Sequence, residues 1–228
     1  MNDVIGQAIY DYHHKVGKHK LWILNQYGPK EEMPVEAYFR TEDDMPDMEW
    51  HALNECRGRV LDIGAAAGCH SLLLQERNYD VTAMDISPLA VQVMSERGIV
   101  KTIAADIYRY QHEQFDTLFL LMNGIGLAGT IEGLKLLLEH FKLLLKPGGQ
   151  ILFDSSDITY LYEGAEKPTV RYYGEVSYQY QYKGKKTDWF NWLYVDEHTM
   201  QQIATECGYK MEVLLEDEYG QYLGRLTF

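Results

Sequence analysis

From residue 59 onward, short apolar runs alternate with longer amphipathic stretches, the signature of βαβ units and a parallel sheet. The pattern predicts strands over 60–63, 81–84, 100–104, 117–122 and 150–154. Helices are predicted between them over 68–76, 88–97 and 130–145. Pro88 suits a first helical turn, and Pro147-Gly148-Gly149 makes a stop. Five strands in this order form a doubly wound α/β sheet.

Residues 1–27 read as helical, with Val4, Ile5, Ala8, Ile9 and Tyr12 on one stripe and Leu21, Trp22 and Leu24 after a basic, His-rich patch. Gly28-Pro29 ends that stretch. The chain to Asp47 is acidic and carries Pro29, Pro34 and Pro46, which predicts a loop wrapping the domain before a short helix over 48–55. Residues 1–56 therefore read as a helical and loop cap, and 57–228 as the main domain.

The last third differs: 11 of the 18 tyrosines and two of the four tryptophans fall in 160–228. Ser177 to Tyr182 alternates polar and aromatic, a basic turn follows at 183–186, and 188–195 is aromatic and apolar. This predicts a β-hairpin insertion over about 169–195. A helix over 196–207 and two final strands over 209–215 and 222–227 follow, bringing the sheet to seven strands.

The 228 residues fit one large α/β domain or two small ones, and 46% hydrophobic residues suffice for a sizeable core. The formal charge of −13 repels polyphosphate, so nucleic acid is not an expected partner. The longest uncharged stretch, 117–131, falls short of the roughly 18 apolar residues a membrane helix needs. Asp3 stands where a signal peptide carries positive charge, so a cytoplasmic location is expected. Cys56, Cys69 and Cys207 lack paired spacing and read as buried thiols.

The most informative stretch is VLDIGAAAGCHS, residues 60–71: an apolar strand, an acid, then Gly64 and Gly68 opening a helix. Glycine lets a ligand approach the backbone closely and meet amides at the helix start. A dinucleotide fingerprint would need glycines where Ala66 and Cys69 stand. Asp85 ends the second strand in VTAMDISPLA, and Asp106 follows the third in AADIYRY. FDTLFLLMNGIG and LLKPGGQILFDSS come after these in order.

With Asp62, Gly64 and Gly68 matching its first motif, this series resembles the class I S-adenosylmethionine-dependent methyltransferases, small bacterial members in particular. Ala66 departs from the family's usual middle glycine. The resemblance implies a Rossmann-like sheet of seven strands with the last one antiparallel, and S-adenosyl-L-methionine as cofactor. It implies that Asp85 accepts both ribose hydroxyls, a task suited to two acceptor oxygens. It assigns Asp106 to the adenine amine, with Ile86 and Ile107 flanking the ring. Ala65, Ala66, Met122 and Asn123 complete the implied cofactor contacts, and Arg40 pairs with the cofactor's carboxylate or serves the surface.

Methyl transfer from a sulfonium asks chiefly for alignment and exclusion of water. An acceptor that holds its proton at neutral pH would use a positioned base. Asn123 and Asp154 are the candidate catalytic residues: the first orients donor or acceptor or is a turn residue, and the second binds a cationic acceptor. Asp157 reads as a cap before an apolar run. His70 reads as a histidine packed against the next strand. His13, His14 and His19 lack metal-ligand spacing and read as a solvated face, so no metal is expected. Tyr10, Tyr12, Tyr38 and Phe39 lie where related enzymes fold a segment over the cofactor.

The aromatic hairpin reads as a cover for the acceptor, as cross-strand packing, or as a homodimer edge. The expected function is methyl transfer to N or O of a small-molecule acceptor. The rivals are a cofactor-binding protein without transferase activity and a nicotinamide-dependent oxidoreductase.

Overall fold

The computed structural model describes residues 3–164 and 166–228. In chain order the first elements are α1 (Val4–His13), β1 (Leu21–Asn25), β2 (Glu31–Met33), α2 (Asp47–Glu55), β3 (Arg59–Ile63) and α3 (Cys69–Glu76). Next come β4 (Asp80–Asp85), α4 (Pro88–Glu96), β5 (Thr102–Ala104), β6 (Phe115–Leu120), α5 (Ile131–Leu144) and β7 (Leu145–Ser156). The chain closes with β8 (Glu175–Tyr182), β9 (Lys185–Lys186), β10 (Phe190–Leu193), α6 (Glu197–Glu206), β11 (Lys210–Glu216) and β12 (Gln221–Thr227). No described helix is long and apolar enough to cross a membrane.

The chain forms two compact units. The first holds residues 3–46, 59–110 and 177–190. Here β3, β4 and β5 lie side by side and parallel, with Val60 opposite Val81 and Asp85 opposite Ala104. Helix α1 starts on Asp3, whose Oδ1 accepts the Gly6 N–H at 2.9 Å. Helix α4 starts on Ser87, whose Oγ accepts the Ala90 N–H at 3.0 Å, with Pro88 in its first turn. The two caps are themselves bonded, since the Ser87 hydroxyl donates to Asp3 Oδ2 at 2.7 Å. Ala8 and Ile9 of α1, Leu21 of β1 and Ala90 and Val93 of α4 form a common core.

The second unit holds residues 47–58, 111–176 and 191–228. Its strands run in the order β11-β12-β7-β6. β6 and β7 are parallel, while β12 is antiparallel to both β7 and β11. α5 buries a stripe of Leu134, Leu137, Leu138, Phe141 and Leu144 and is capped by Thr130, which accepts the Gly133 N–H at 3.0 Å. The fold is of the Rossmann-like α/β class the sequence predicts, with β12 antiparallel and an aromatic insertion before it. All three cysteines are buried and outside any disulfide.

The N-terminal reading needs correction. The predicted helix over 1–27 is a helix only to His13, and Leu21–Asn25 is a strand. Left-handed backbone at Lys15 and Gly17 reverses the chain between them. The Leu-Trp-Ile-Leu run then pairs antiparallel with β8, Trp22 opposite Gln181 and Ile23 opposite Tyr180. Bulky apolar residues suit a strand when an alternating partner is available, and this partner lies far along the chain. The predicted loop before Asp47 likewise contains β2, paired with β1. The predicted hairpin is therefore part of a larger antiparallel sheet.

Candidate functional site

In the first unit the chain leaves β3 through a tight loop into α3. Gly64, Ala66 and Gly68 all take left-handed backbone, with φ of 77°, 51° and 78°. The two glycines do different jobs. A Cβ on Gly64 would meet nothing within 4 Å, so that side of the loop is open to a ligand. A Cβ on Gly68 would strike Ile99 and press on Met94, so that glycine serves close packing.

Four of the loop's amides are engaged inside the protein. Gly64 and Ala65 N–H both donate to the Met84 carbonyl at 2.9 Å, Gly68 N–H to the Ala65 carbonyl at 2.7 Å, and Ala66 N–H to Asp85 Oδ2 at 2.9 Å. The sequence reading expected a ligand to meet amides here. The bare Gly64 face is open to such an approach, and the amides of that expectation lie further on, at the start of α3.

Asp62, Asp85 and Asp106 stand in or just past the carboxyl-terminal ends of three neighbouring strands. They are not equivalent. Asp62 is 3% exposed, and its Oδ2 accepts the Ser71 hydroxyl at 2.6 Å. Burial raises its pKa, with the buried His70 beside it acting in the opposite sense. Asp62 thus fastens β3 to α3. Asp85 accepts the Ser87 N–H on Oδ1 at 2.8 Å and the Ala66 N–H on Oδ2. Burial raises its pKa and the two N–H donors oppose that. One lone pair on each oxygen remains for another donor.

Tyr38 stands near Asp85. Burial, and then the charge of Asp85, push its hydroxyl up to about 12. Tyr38 and Phe39 pack on the same core as Ala66 and Ala67. Asp106 caps a short turn, accepting the Tyr108 N–H at 3.0 Å. Ile107 is buried, whereas Ile86 is 62% exposed. Arg40 ends the turn Val35–Phe39 and helps, after the hydrogen bonds from Thr41, to hold the Asp44 carboxyl below its usual range.

In the second unit, Met122 and Asn123 follow β6 with left-handed φ of 59° and 55°. Two such residues in succession, the first with a large side chain, are strained backbone held by its surroundings. The surroundings are explicit. Asn123 N–H donates to Asp154 Oδ1 at 2.8 Å, its Nδ2 donates to the Leu193 carbonyl at 3.1 Å, and its own carbonyl accepts Trp192 Nε1 at 3.1 Å. Asn123 Oδ1 is buried and accepts no hydrogen bond.

Asp154, 2% exposed, also accepts Gln221 Nε2 on Oδ2 at 2.9 Å. Burial pushes its carboxyl up to about 6; the Asn123 and Gln221 donors pull down and the charge of Glu49 pushes up. Gln221 also lines an open cavity with Ser156, Tyr160, Asp217, Glu218 and Tyr219. Asp157 holds a turn by accepting the Thr159 N–H at 2.8 Å and the Tyr173 hydroxyl at 2.7 Å. Sequence reasoning missed Gln221 and Trp192. Nothing local marks either residue, because their partners come from other strands.

Known proteins place this geometry. A methyltransferase domain family model matches residues 60–149. The solved S-adenosylmethionine-dependent methyltransferase from Bacteroides fragilis, in complex with S-adenosyl-L-homocysteine, is 39% identical, with a TM-score of 0.91 over 99% of this chain and 94% of that one. The glycine/sarcosine N-methyltransferase of Aphanothece halophytica is 24% identical over 160 residues, 61% of this chain; the match spans only 60% of that relative's length. The sugar N-methyltransferase KedS8 from Streptoalloteichus sp ATCC 53650 shares the fold, at 16% identity and a TM-score of 0.59 over 92% of this chain and 97% of that one. With 39% identity across nearly the whole of both chains, and with the glycine loop and strand-end acids in place, this protein belongs to the class I S-adenosylmethionine-dependent methyltransferases.

Proposed function

We propose that the protein transfers the methyl group of S-adenosylmethionine to the nitrogen of a small amine. The observation that carries the acceptor class is the cavity of the second unit, lined by two carboxylates and two tyrosines, with Asp154 one hydrogen bond further in behind Gln221. Carboxylates accept hydrogen bonds from hydroxyl and ammonium groups alike, but paired charges and aromatic faces add an attraction that only a cation gains. The glycine/sarcosine N-methyltransferase, a relative named for small amines, supports the same class.

The first unit's residues suit the cofactor. In this reading its chain passes over the open face of Gly64 along Ala65 and Ala66, and Asp85 takes the ribose diol on its remaining lone pairs. Asp106 takes the adenine amine, with Ile86 and Ile107 beside the ring. Tyr38 and Phe39, from the segment read as a cap, cover the loop. Arg40 is assigned to the cofactor's carboxylate, and Met122 and Asn123 of the second unit to the cofactor, by family resemblance.

When bound, the cofactor supplies a methyl group on a positively charged sulfur, with the leaving group already in place. An amine is mostly ammonium at neutral pH and must lose a proton before its lone pair is available. Asp154, whose carboxyl is pushed up to about 6, is a carboxylate at neutral pH and takes that proton by way of a cavity water, on a lone pair that neither Asn123 nor Gln221 occupies. Asn123 and Gln221 hold the carboxylate in position.

The test is a panel of acceptors incubated with S-adenosylmethionine while S-adenosylhomocysteine is measured. Turnover with glycine, sarcosine or an amino sugar, and none with matched hydroxyl compounds, is the expected result. Turnover confined to hydroxyl acceptors would overturn the amine assignment.

A further inference from the structure

We propose that His13, His14 and Glu96 form a divalent-cation site, suited to zinc, that ties the end of α1 to the end of α4. Their spacing in the sequence gives no hint of it. The geometry does. His13 Nε2 lies 3.3 Å and His14 Nε2 3.0 Å from the same oxygen, Glu96 Oε2. The three ligand atoms all fall within 4.8 Å of one another. Ligands held about 2.1 Å from a tetrahedral zinc stand roughly 3.4 Å apart, so two of the three edges already match.

The tautomer of His14 points the same way. Its Nδ1 lies 2.9 Å from the Tyr10 carbonyl, and a carbonyl can only accept, so Nδ1 carries the hydrogen. In the neutral ring Nε2 then presents a lone pair, and that lone pair faces a carboxylate oxygen. Two acceptors at 3.0 Å repel unless a proton or a metal cation lies between them. A carbonyl that accepts from the far ring nitrogen is also what orients most metal-bound histidines.

The rings are held in advance. His14 stacks on Tyr10 with centroids 4.0 Å apart, and His13 lies parallel to Phe39 at 6.3 Å. His13 and Glu96 are the last residues of α1 and α4, and His14 caps α1, so two helix carboxyl termini add negative potential at the cluster. Arg97, which follows Glu96 in the chain, is directed elsewhere: its guanidinium lies over the Phe39 ring at 5.0 Å and donates to the Ala67 carbonyl. Two imidazoles and one carboxylate, with room for a water, are a zinc ligand set.

The test uses the untagged full-length chain, stripped with chelator and titrated with zinc chloride alone. One zinc per chain is expected, bound at least tenfold more weakly by Glu96→Gln and by His14→Ala, and as tightly as the parent by His19→Ala. Zinc should also raise the melting temperature of the parent and leave that of Glu96→Gln unmoved. No saturable uptake, or equal affinity in parent and Glu96→Gln, would overturn the proposal and leave a proton-bridged ion pair. Anomalous scattering at the zinc edge from crystals of the parent, placing the ion away from these three residues, would overturn it independently of any variant.

Discussion

Asp85 Oδ2 accepts the Ala66 N–H at 2.9 Å, so the acid that ends β4 is also the clasp of the glycine loop that follows β3. Its other oxygen holds the Ser87 N–H, and Ser87 in turn donates to Asp3. A continuous run of hydrogen bonds therefore joins the cap of α1 to the loop through one carboxylate.

Asp85→Ala should consequently do two things. Loss of the ribose contact should weaken binding of S-adenosylhomocysteine by about 1.5–3 kcal/mol, the scale of hydrogen bonds to a charged group. Loss of an acceptor for two partly buried N–H groups should lower the unfolding free energy by about 1–3 kcal/mol. Calorimetric titration reads the first and urea unfolding the second. Unchanged affinity would refute the ribose assignment; unchanged stability would refute the clasp.

Gly64 and Gly68 should respond differently to alanine. Both carry left-handed backbone, so either change costs about 1 kcal/mol of stability from backbone strain. Gly68→Ala should add about 1–3 kcal/mol, because its methyl group runs into Ile99 and Met94. Gly64→Ala meets no protein atom and should cost no stability beyond that strain while weakening cofactor binding at least tenfold. A Gly64→Ala variant that binds cofactor as well as the parent would show that nothing approaches that face.

Ala66 stands where the family usually has glycine, at φ of 51°. Replacing it with glycine relieves the strain of a left-handed alanine, about 1–2 kcal/mol, and restores some unfolded-chain entropy, about 0.5–1 kcal/mol. The two effects leave Ala66→Gly neutral or about 1 kcal/mol more stable than the parent. A loss above 1 kcal/mol in thermal or denaturant unfolding would mean that the methyl group contributes packing that outweighs the strain.

Asp154 makes a pH-dependent prediction. Its folded pKa, about 6, exceeds the unfolded value near 3.9, so the folded state binds the proton more tightly. Below pH 4 the carboxyl is mostly neutral in both states. As pH rises through 6 the folded chain comes to bear a buried charge, and stability falls. Asp154→Asn, whose amide oxygen can still accept the Asn123 N–H while the Gln221 amide flips, escapes that loss. Its stability relative to the parent should rise by about 2–3 kcal/mol between pH 4 and 7.

In the same variant kcat should fall well below the parent's with cofactor affinity little changed, and the parent's kcat should show an acidic limb near pH 6. A pH-independent stability difference would contradict the burial argument. Undiminished turnover would remove Asp154 from the reaction.

The amino-acid sequence by itself determined the βαβ region. Strand alternation, the caps at Ser87 and Thr130 and the left-handed needs of Gly64 and Gly68 are all written within a few residues of where they act, so β3, β4, α4 and α5 fall within a residue or two of prediction. The strand-end acids and the family they point to were legible for the same reason.

What Asp62 does was not legible, since the turn of α3 brings Ser71 onto its carboxylate. Nor was β1, whose partner β8 lies in the last quarter of the chain. The contacts of Tyr38 with Asp85's field, of Gln221 with Asp154 and of both histidines with Glu96 belong to the same class. Each joins groups distant in the chain, and only packing, which short-range pattern does not encode, decides which of them meet.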